Sequence, residues 1–166
     1  GVNKTIDPYY EHTYKVSLTG GKPKILNKGN YNTSTVPSDN HKYFVNNFSR
    51  VNTIPKSDLR SSDGSLVMNL EEADLSALFD SGYQFPEPFK AKADDGITDL
   101  YGVMYKPFNF DNKKKYPILE YVYPGPQTES VNKSFSVRMD RLDRMAQLGF
   151  VVITLGNRGR HPHRSK

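Results

Sequence analysis

The chain has 166 residues, a formal net charge of +5, 36% hydrophobic residues and 12% aromatic residues. This is enough for one ordinary domain or two partial ones with a packed core. No run approaches the roughly 18 consecutive apolar residues of a membrane span, and the absence of cysteine excludes disulfides and thiol chemistry. The basic excess lies in residues 91–166 and is densest at 158–166, which indicates a solvated end and no nucleic-acid partner.

Short β-forming segments separated by turn signals fill residues 9–70. Residues 14–18 alternate apolar and polar side chains, and a Gly-Gly turn separates them from residues 23–26, which predicts a hairpin. Further strands are predicted at residues 32–36, 42–48, 52–56 and 66–70. Short strands at roughly ten-residue spacing are typical of an antiparallel sandwich or of a β-propeller blade.

The sequence in the middle of the chain predicts a short helix, then a segment that links two domains, then a hairpin. Residues 73–79 form the helix, with Asp74 available as its cap and Gly82 as its stop. The proline-punctuated residues 83–88 are the predicted domain boundary. Beyond it, residues 89–93 and 100–105 flank an Asp-Gly turn. Residues 94–99 partly match a calcium loop, but the bidentate Glu is missing, so a plain turn is predicted.

The last third of the chain predicts a parallel strand–helix–strand unit. Residues 117–123 form a mostly apolar strand, and residues 135–148 carry apolar side chains at near-helical spacing. Gly149 ends the helix. The continuous apolar run 150–155 is then expected to be covered on both faces.

Tyr123 occupies the predicted carboxyl end of the strand 117–123, where parallel sheets place their ligands. Pro124 and Pro126 terminate the strand and fix the following turn, while Gly125 allows a tight path. A phenol held there could donate a hydrogen bond to a developing oxyanion. From position alone, a packed strand-end tyrosine with its hydroxyl in water is favoured over this role.

Residues 89–107 and 115–126, which include the run Tyr121-Val122-Tyr123-Pro124-Gly125-Pro126, resemble the opening of the catalytic domain in the prolyl oligopeptidase family. The dipeptidyl peptidase IV branch is the most similar. Residues 43–55 and 66–70 are similar to the last propeller blade that precedes that domain. One departure is Asn157 in the run Gly156-Asn157-Arg158-Gly159, where the family commonly has Asp.

The resemblance implies a mixed β and α/β fold, with the end of a β-propeller, about one blade, in residues 1–85. Residues 86–166 would be the first strands and first helix of an α/β-hydrolase domain. The implied function is that of a serine exopeptidase that cleaves peptides after Pro or Ala near the amino end, with no cofactor and no metal. Tyr123 matches the tyrosine that serves as the branch's oxyanion donor. A peptide is the expected partner, a homo-oligomer could form, and export to the periplasm or outside the cell is implied by resemblance alone.

The nucleophile, acid and base of this family have no counterpart in the chain. The hydrolase nucleophile lies in a G-x-S-x-G turn, and no such pentapeptide occurs here. The triad is expected beyond Lys166, so this fragment alone should be inactive. A triad built from other serines and histidines lacks that turn, and His161 with His163 lacks a third metal ligand.

The competing hypothesis is a non-catalytic β-rich module that binds a peptide, a glycan or nucleic acid through exposed tyrosines and the basic end. A nucleic-acid version requires basic and aromatic residues interleaved on one face, and the neutral first 90 residues disfavour it. The enzyme hypothesis instead predicts exposed apolar surface on the strand 150–155, because its neighbours would be missing.

Overall fold

A computed structural model of the chain describes residues 6–122, 131–136 and 141–156. The chain divides into two compact units: unit 1 contains Gly1–Asp74 and Lys133–Phe135, and unit 2 contains Leu75–Asn132 and Ser136–Lys166. The predicted link at residues 83–88 lies within unit 2, and the assignment of residues 1–85 and 86–166 to two domain types stays a prediction. Within the described ranges, no helix has the length and apolarity needed to cross a bilayer.

Unit 1 is built from a hairpin and a four-stranded antiparallel sheet. The hairpin pairs β1 (Tyr14–Lys15) with β2 (Lys24–Ile25), as predicted. The sheet takes its strands in chain order: β3 (Asn32–Pro37), β4 (Tyr43–Ser49), β5 (Lys56–Ser61) and β6 (Leu66–Glu72). Each strand therefore pairs with its neighbour in sequence, which confirms the expected antiparallel arrangement.

The predicted strand at residues 52–56 is wrong. Residues 51–53 form a turn, closed by hydrogen bonds from Arg50 N to Thr53 Oγ1 (2.7 Å) and from Thr53 N to Arg50 O (3.3 Å). β5 begins only at Lys56, after Pro55. Its sequence, Lys-Ser-Asp-Leu-Arg-Ser, carries a single large apolar residue, so apolar alternation could not reveal it.

The core of unit 1 contains a connected polar network. Asn27 and Asn46 are fully buried and Asp58 is 3% exposed. Asn27 Nδ2 donates to Asn46 Oδ1 (2.9 Å), and Asn46 Nδ2 donates to Asp58 Oδ1 (3.1 Å). Arg60 closes the series with two hydrogen bonds to Asp58, of 3.0 Å from Nε and 2.8 Å from Nη2. The network thus joins the end of β2 to β4 and β5, and the bond to Asp58 raises the pKa of Arg60.

Unit 2 combines an antiparallel hairpin with a parallel crossover. Its elements are α1 (Ser76–Asp80), β7 (Glu87–Lys92), β8 (Asp99–Tyr105), β9 (Ile118–Tyr121), α2 (Arg141–Ala146) and β10 (Val151–Leu155). The strand order in the sheet is β7-β8-β10-β9, in which only β9 and β10 are parallel. The predicted hairpin and the parallel β9–α2–β10 unit are both confirmed, and the described residues as a whole are β-rich with short helices.

Both helices begin later than predicted; α1 ends one residue after its predicted end and α2 ends two residues before its predicted end. Leu75 is the N-terminal cap residue of α1, so Asp74 is not the cap. Phe135 and Ser136 are not helical, and the Phe135 N–H donates a hydrogen bond of 3.1 Å to Ser49 Oγ within unit 1; residues 137–140 lie outside the described residues. The predicted stops are confirmed: Gly82 and Gly149 have φ of 92° and 96°, a conformation that glycine adopts without steric cost.

An aromatic cluster follows α1 in unit 2. Tyr83 is 7% exposed, and its ring meets those of Phe79, Phe85 and Phe108 at centroid distances of 6.2, 5.8 and 5.5 Å. Burial, followed by the charge of Asp143, raises the pKa of Tyr83 to about 12. The phenol is therefore held in its neutral form by the fold.

The polar network predicts that Asp58→Asn lowers the free energy of unfolding by about 3 kcal/mol, because Arg60 then lacks its buried counter-charge. Urea unfolding followed by far-UV circular dichroism measures the loss. Asp39→Asn is the matched control, since Asp39 is exposed in a turn, and it should change stability by less than about 0.5 kcal/mol. Equal effects of the two variants would show that the network contributes nothing specific.

The raised pKa of Tyr83 predicts a loss of stability at alkaline pH. The folded chain holds this phenolic proton more tightly than the unfolded chain, whose ordinary pKa is 10.0. The neutral phenol therefore contributes its full stabilisation below pH 10, and about 1 kcal/mol of that stabilisation is lost by pH 11. Urea unfolding at pH 9 and pH 11 should show that loss diminished in Tyr83→Phe but not in Tyr14→Phe, whose ring is 45% exposed. Identical pH dependences in the two variants would contradict the assignment.

Candidate active site

The carboxyl ends of β9 and β10 meet at one edge of the unit 2 sheet. The two strands run parallel, with Thr154 opposite Tyr121 in the register. Parallel strands that end together in this way form the edge at which α/β sheets bind ligands. Tyr123, the predicted oxyanion donor, follows the last residue of β9 by two positions and lies outside the described residues.

The central position of β10 overturns one prediction. Exposed apolar surface was expected on residues 150–155, but β10 lies between β8 and β9, with Val152 only 2% exposed and Thr154 fully buried. Among the strands of this sheet, the large apolar side chains that are exposed lie on and just after β9, where Ile118 is 66% and Val122 is 54% exposed. The sequence could not reveal this strand order, because β10 comes later in the chain than β8 and β9 but is inserted between them.

Gly102 on β8 permits the close approach that sets the position of β10. It stands opposite Leu155 of β10 and Phe89 of β7 in the register. A Cβ atom at Gly102 would lie 2.5 Å from the Phe89 ring and 2.7 Å from the backbone oxygen of Thr154. A side chain there would push β10 away from β8, and β9 would move with β10 because it is hydrogen-bonded to β10.

The chain returns to the unit 2 core immediately after the segment 123–130. Val131 is 3% exposed, and Asn132 Nδ2 donates a hydrogen bond of 3.2 Å to the hydroxyl of Tyr105, the last residue of β8. The described residues that flank this segment are therefore held by the β9–β10 pairing on one side and by the hydrogen bond from Asn132 to Tyr105 on the other. Sequence reasoning missed Asn132 and Tyr105, since a single hydrogen bond between positions 27 residues apart leaves no periodic signal.

Two carboxylates of the acidic turn at residues 94–99 form hydrogen bonds or ion pairs with neighbouring residues. Asp95 accepts from the backbone N–H of Ile97 (3.0 Å) and Thr98 (2.8 Å). Asp99 pairs with Lys92 at 2.7 Å and Lys90 at 3.2 Å, and these hydrogen bonds lower the pKa of its carboxyl. The predicted Asp-Gly turn is confirmed. Across the described parts of the chain, no three His, Asp or Glu side chains come together as a metal site.

Further residues that were singled out in the sequence have no structural description. Asn157, Arg158 and Gly159, which follow the predicted strand 150–155, lie outside the described residues, and the same is true of Pro124, Gly125, Pro126, His161 and His163. The described part of the candidate site is therefore the β9 and β10 strand ends together with Gly102, Tyr105 and Asn132.

No protein-family model matches the chain. It is 32% identical to human dipeptidyl peptidase 8 over 161 residues, which cover 92% of this chain and 18% of that protein. It is 30% identical over 160 residues to a probable dipeptidyl-aminopeptidase B of Aspergillus terreus, and 28% identical over 165 residues to one of Tuber melanosporum. Each of these two alignments covers 92% of this chain and 17% of the relative.

The chain spans less than a fifth of the length of these curated relatives. The similarity nevertheless extends along nearly the whole chain, including both compact units. The sequence-based resemblance is therefore confirmed, and the chain belongs to the dipeptidyl peptidase branch of the prolyl oligopeptidase family.

Proposed function

We propose that the chain forms part of a serine exopeptidase that releases dipeptides from the amino end of peptides after Pro or Ala. In this proposal Tyr123 supplies one half of the oxyanion hole, and the nucleophilic serine, the aspartate and the histidine come from sequence beyond Lys166. The 166 residues alone would then be inactive, since they carry no G-x-S-x-G turn.

The observation that carries the proposal is the 32% identity to a dipeptidyl peptidase over 92% of the chain, combined with the position of Tyr123 two residues after the end of β9. The β9–β10 pair provides a parallel edge at which such a sheet binds its ligand. A backbone N–H after the nucleophile would complete the oxyanion hole.

In this proposal the hydroxyl of Tyr123 donates one hydrogen bond. As serine attacks the scissile carbonyl, negative charge develops on the carbonyl oxygen, and a preorganised O–H stabilises that charge more than it stabilises the neutral substrate. Pro124 and Pro126 restrict the backbone that follows, so a phenol at this position needs little reorganisation during the reaction. A neutral phenol also avoids placing a negative charge near the oxyanion.

We also propose that the unit 1 sheet is the propeller blade that the sequence predicts in residues 1–85. Val36, Val45, Leu59 and Met68 stand opposite one another on β3, β4, β5 and β6, and residues directly opposite in a sheet share a face. The two outer residues of this row, Val36 and Met68, are 60% and 53% exposed. A transverse apolar row on a four-stranded antiparallel sheet suits packing against a neighbouring blade.

The proposal predicts that Tyr123→Phe in the enzyme carrying its complete catalytic domain lowers kcat about 100-fold or more and leaves KM within a few-fold. The reason is that the lost hydrogen bond acts mainly in the transition state. Hydrolysis of Gly-Pro-p-nitroanilide measures both constants. Tyr121→Phe is the matched control, because Tyr121 is a tyrosine at the same strand end that is 38% exposed, and it should retain near-normal turnover.

Two outcomes would contradict different parts of the proposal. An unchanged kcat in Tyr123→Phe would remove the oxyanion role and leave the peptidase assignment intact. Peptide binding without hydrolysis by the unaltered enzyme would overturn the peptidase assignment and favour the alternative of a non-catalytic binding module.

A further inference from the structure

Unit 1 contains a cleft of about 230 Å³ that the proposed peptidase reaction does not use. Its lining comes from the segment before and in β1 and from the segment in and after β2. The lining residues that matter below are Tyr10, His12, Tyr14, Ile25, Lys28 and Gly29. Two tyrosines and a histidine give it aromatic walls, and Ile25 adds an apolar surface.

Several hydrogen bonds hold these walls in place without a ligand. Tyr14 and Ile25 are cross-strand partners in the β1–β2 hairpin. His12 Nδ1 lies 3.1 Å from the backbone oxygen of Asn27, and since a carbonyl only accepts, Nδ1 carries the proton. The Tyr31 hydroxyl donates to Lys28 O at 2.6 Å, and its ring occupies the space that a Cβ atom at Gly29 would need. The cleft is therefore preformed.

The charges around the cleft leave a positive excess. Asp7, which also lines it, is neutralised by Lys133 at 2.8 Å. Lys28 is exposed and has no ion-pair partner among the described residues. Arg50 provides a second positive charge, which partly opposes the rise in the pKa of Tyr10. Its Nε atom is buried and has no hydrogen-bond partner within the described part of the chain. The positive charge of Lys28, which no carboxylate of the described residues neutralises, would therefore attract an anion to the cleft.

Tyr10 completes the site as a hydrogen-bond donor. Burial, followed by the negative charge of Asp7, raises the pKa of Tyr10 to about 12, and the charge of Arg50 partly opposes this shift. At neutral pH the phenol is uncharged, as a tyrosine with the ordinary pKa of 10.0 would also be, and its O–H can donate to an anion. A phenolate at this position would have repelled one.

We propose that this cleft binds a small carboxylate with an apolar or aromatic body, with Lys28 and Tyr10 contacting the carboxylate and the ring of Tyr14 with Ile25 contacting the body. A cleft volume of about 230 Å³ suits a ligand of about amino-acid size. Either a free organic acid or the last residue of a peptide has this chemistry. The inference is independent of the peptidase reaction.

The test is a titration of the ¹⁵N-labelled 166-residue chain with N-acetyl-L-phenylalanine, followed by NMR. Saturable shifts are expected at the amides of Tyr14, Ile25 and Gly29. N-acetyl-L-phenylalaninamide, which has the same body without the charge, should bind about fivefold more weakly, the upper range for an exposed charge pair. N-acetyl-Ala-Ala-Phe distinguishes the sources: similar affinity indicates that a peptide end is accepted, and loss of binding restricts the site to free acids.

Two lysine variants separate the specific contact from general charge. Lys28→Met should weaken N-acetyl-L-phenylalanine binding about fivefold and abolish the preference over the amide. Lys22→Met removes an exposed lysine in the β1–β2 turn and should leave the affinity unchanged. Both side chains are exposed, so an unchanged NMR spectrum away from the site is expected and verifies folding.

The proposal is overturned if the acid and the amide bind equally, or if the two lysine variants behave alike. It is also overturned if the shifts fail to saturate or fall outside the cleft residues. None of these outcomes affects the peptidase proposal, which depends on Tyr123 and on catalytic residues elsewhere.

Discussion

Unit 1 depends on the hydrogen bonds that the buried side chain of Asn27 makes. Its amide group faces three acceptors, Asn46 Oδ1 (2.9 Å), Thr33 Oγ1 (3.0 Å) and Thr13 Oγ1 (3.3 Å), with only two hydrogens to share. Its oxygen accepts from Thr13 N at 2.8 Å. One fully buried side chain thus connects the β1–β2 hairpin to the four-stranded sheet, and in a low-dielectric interior such a network is stable only while every member is paired.

Local signals explain what the sequence predicted well. Gly82 and Gly149 end helices because they adopt positive φ, and the Asp-Gly turn joins β7 to β8 because its geometry suits a hairpin. These signals act over a few residues. β5 escaped prediction because its buried residue is Asp58, whose partners come from Asn46 and Arg60 and are not visible as an apolar pattern.

The candidate site was predictable only as far as its local sequence extends. The strand end before Tyr123 and the parallel pairing of β9 with β10 follow from apolar runs and from the intervening helix. Gly102 and Tyr105 could not be identified in this way, since their importance comes from what lies across the sheet. The exposed surface was likewise assigned to the wrong strand, because apolar character does not specify strand order.

The insertion of β10 between β8 and β9 has a consequence for the order in which the chain folds. In unit 1 every strand of the four-stranded sheet pairs with its sequence neighbour, so the loops that must close are short. β9 has no described partner until residues 151–155 arrive, some thirty residues later. Because closing longer loops costs more chain entropy and slows folding, unit 1 should acquire its sheet early during synthesis. The strand that leads to Tyr123 would be among the last to be fixed.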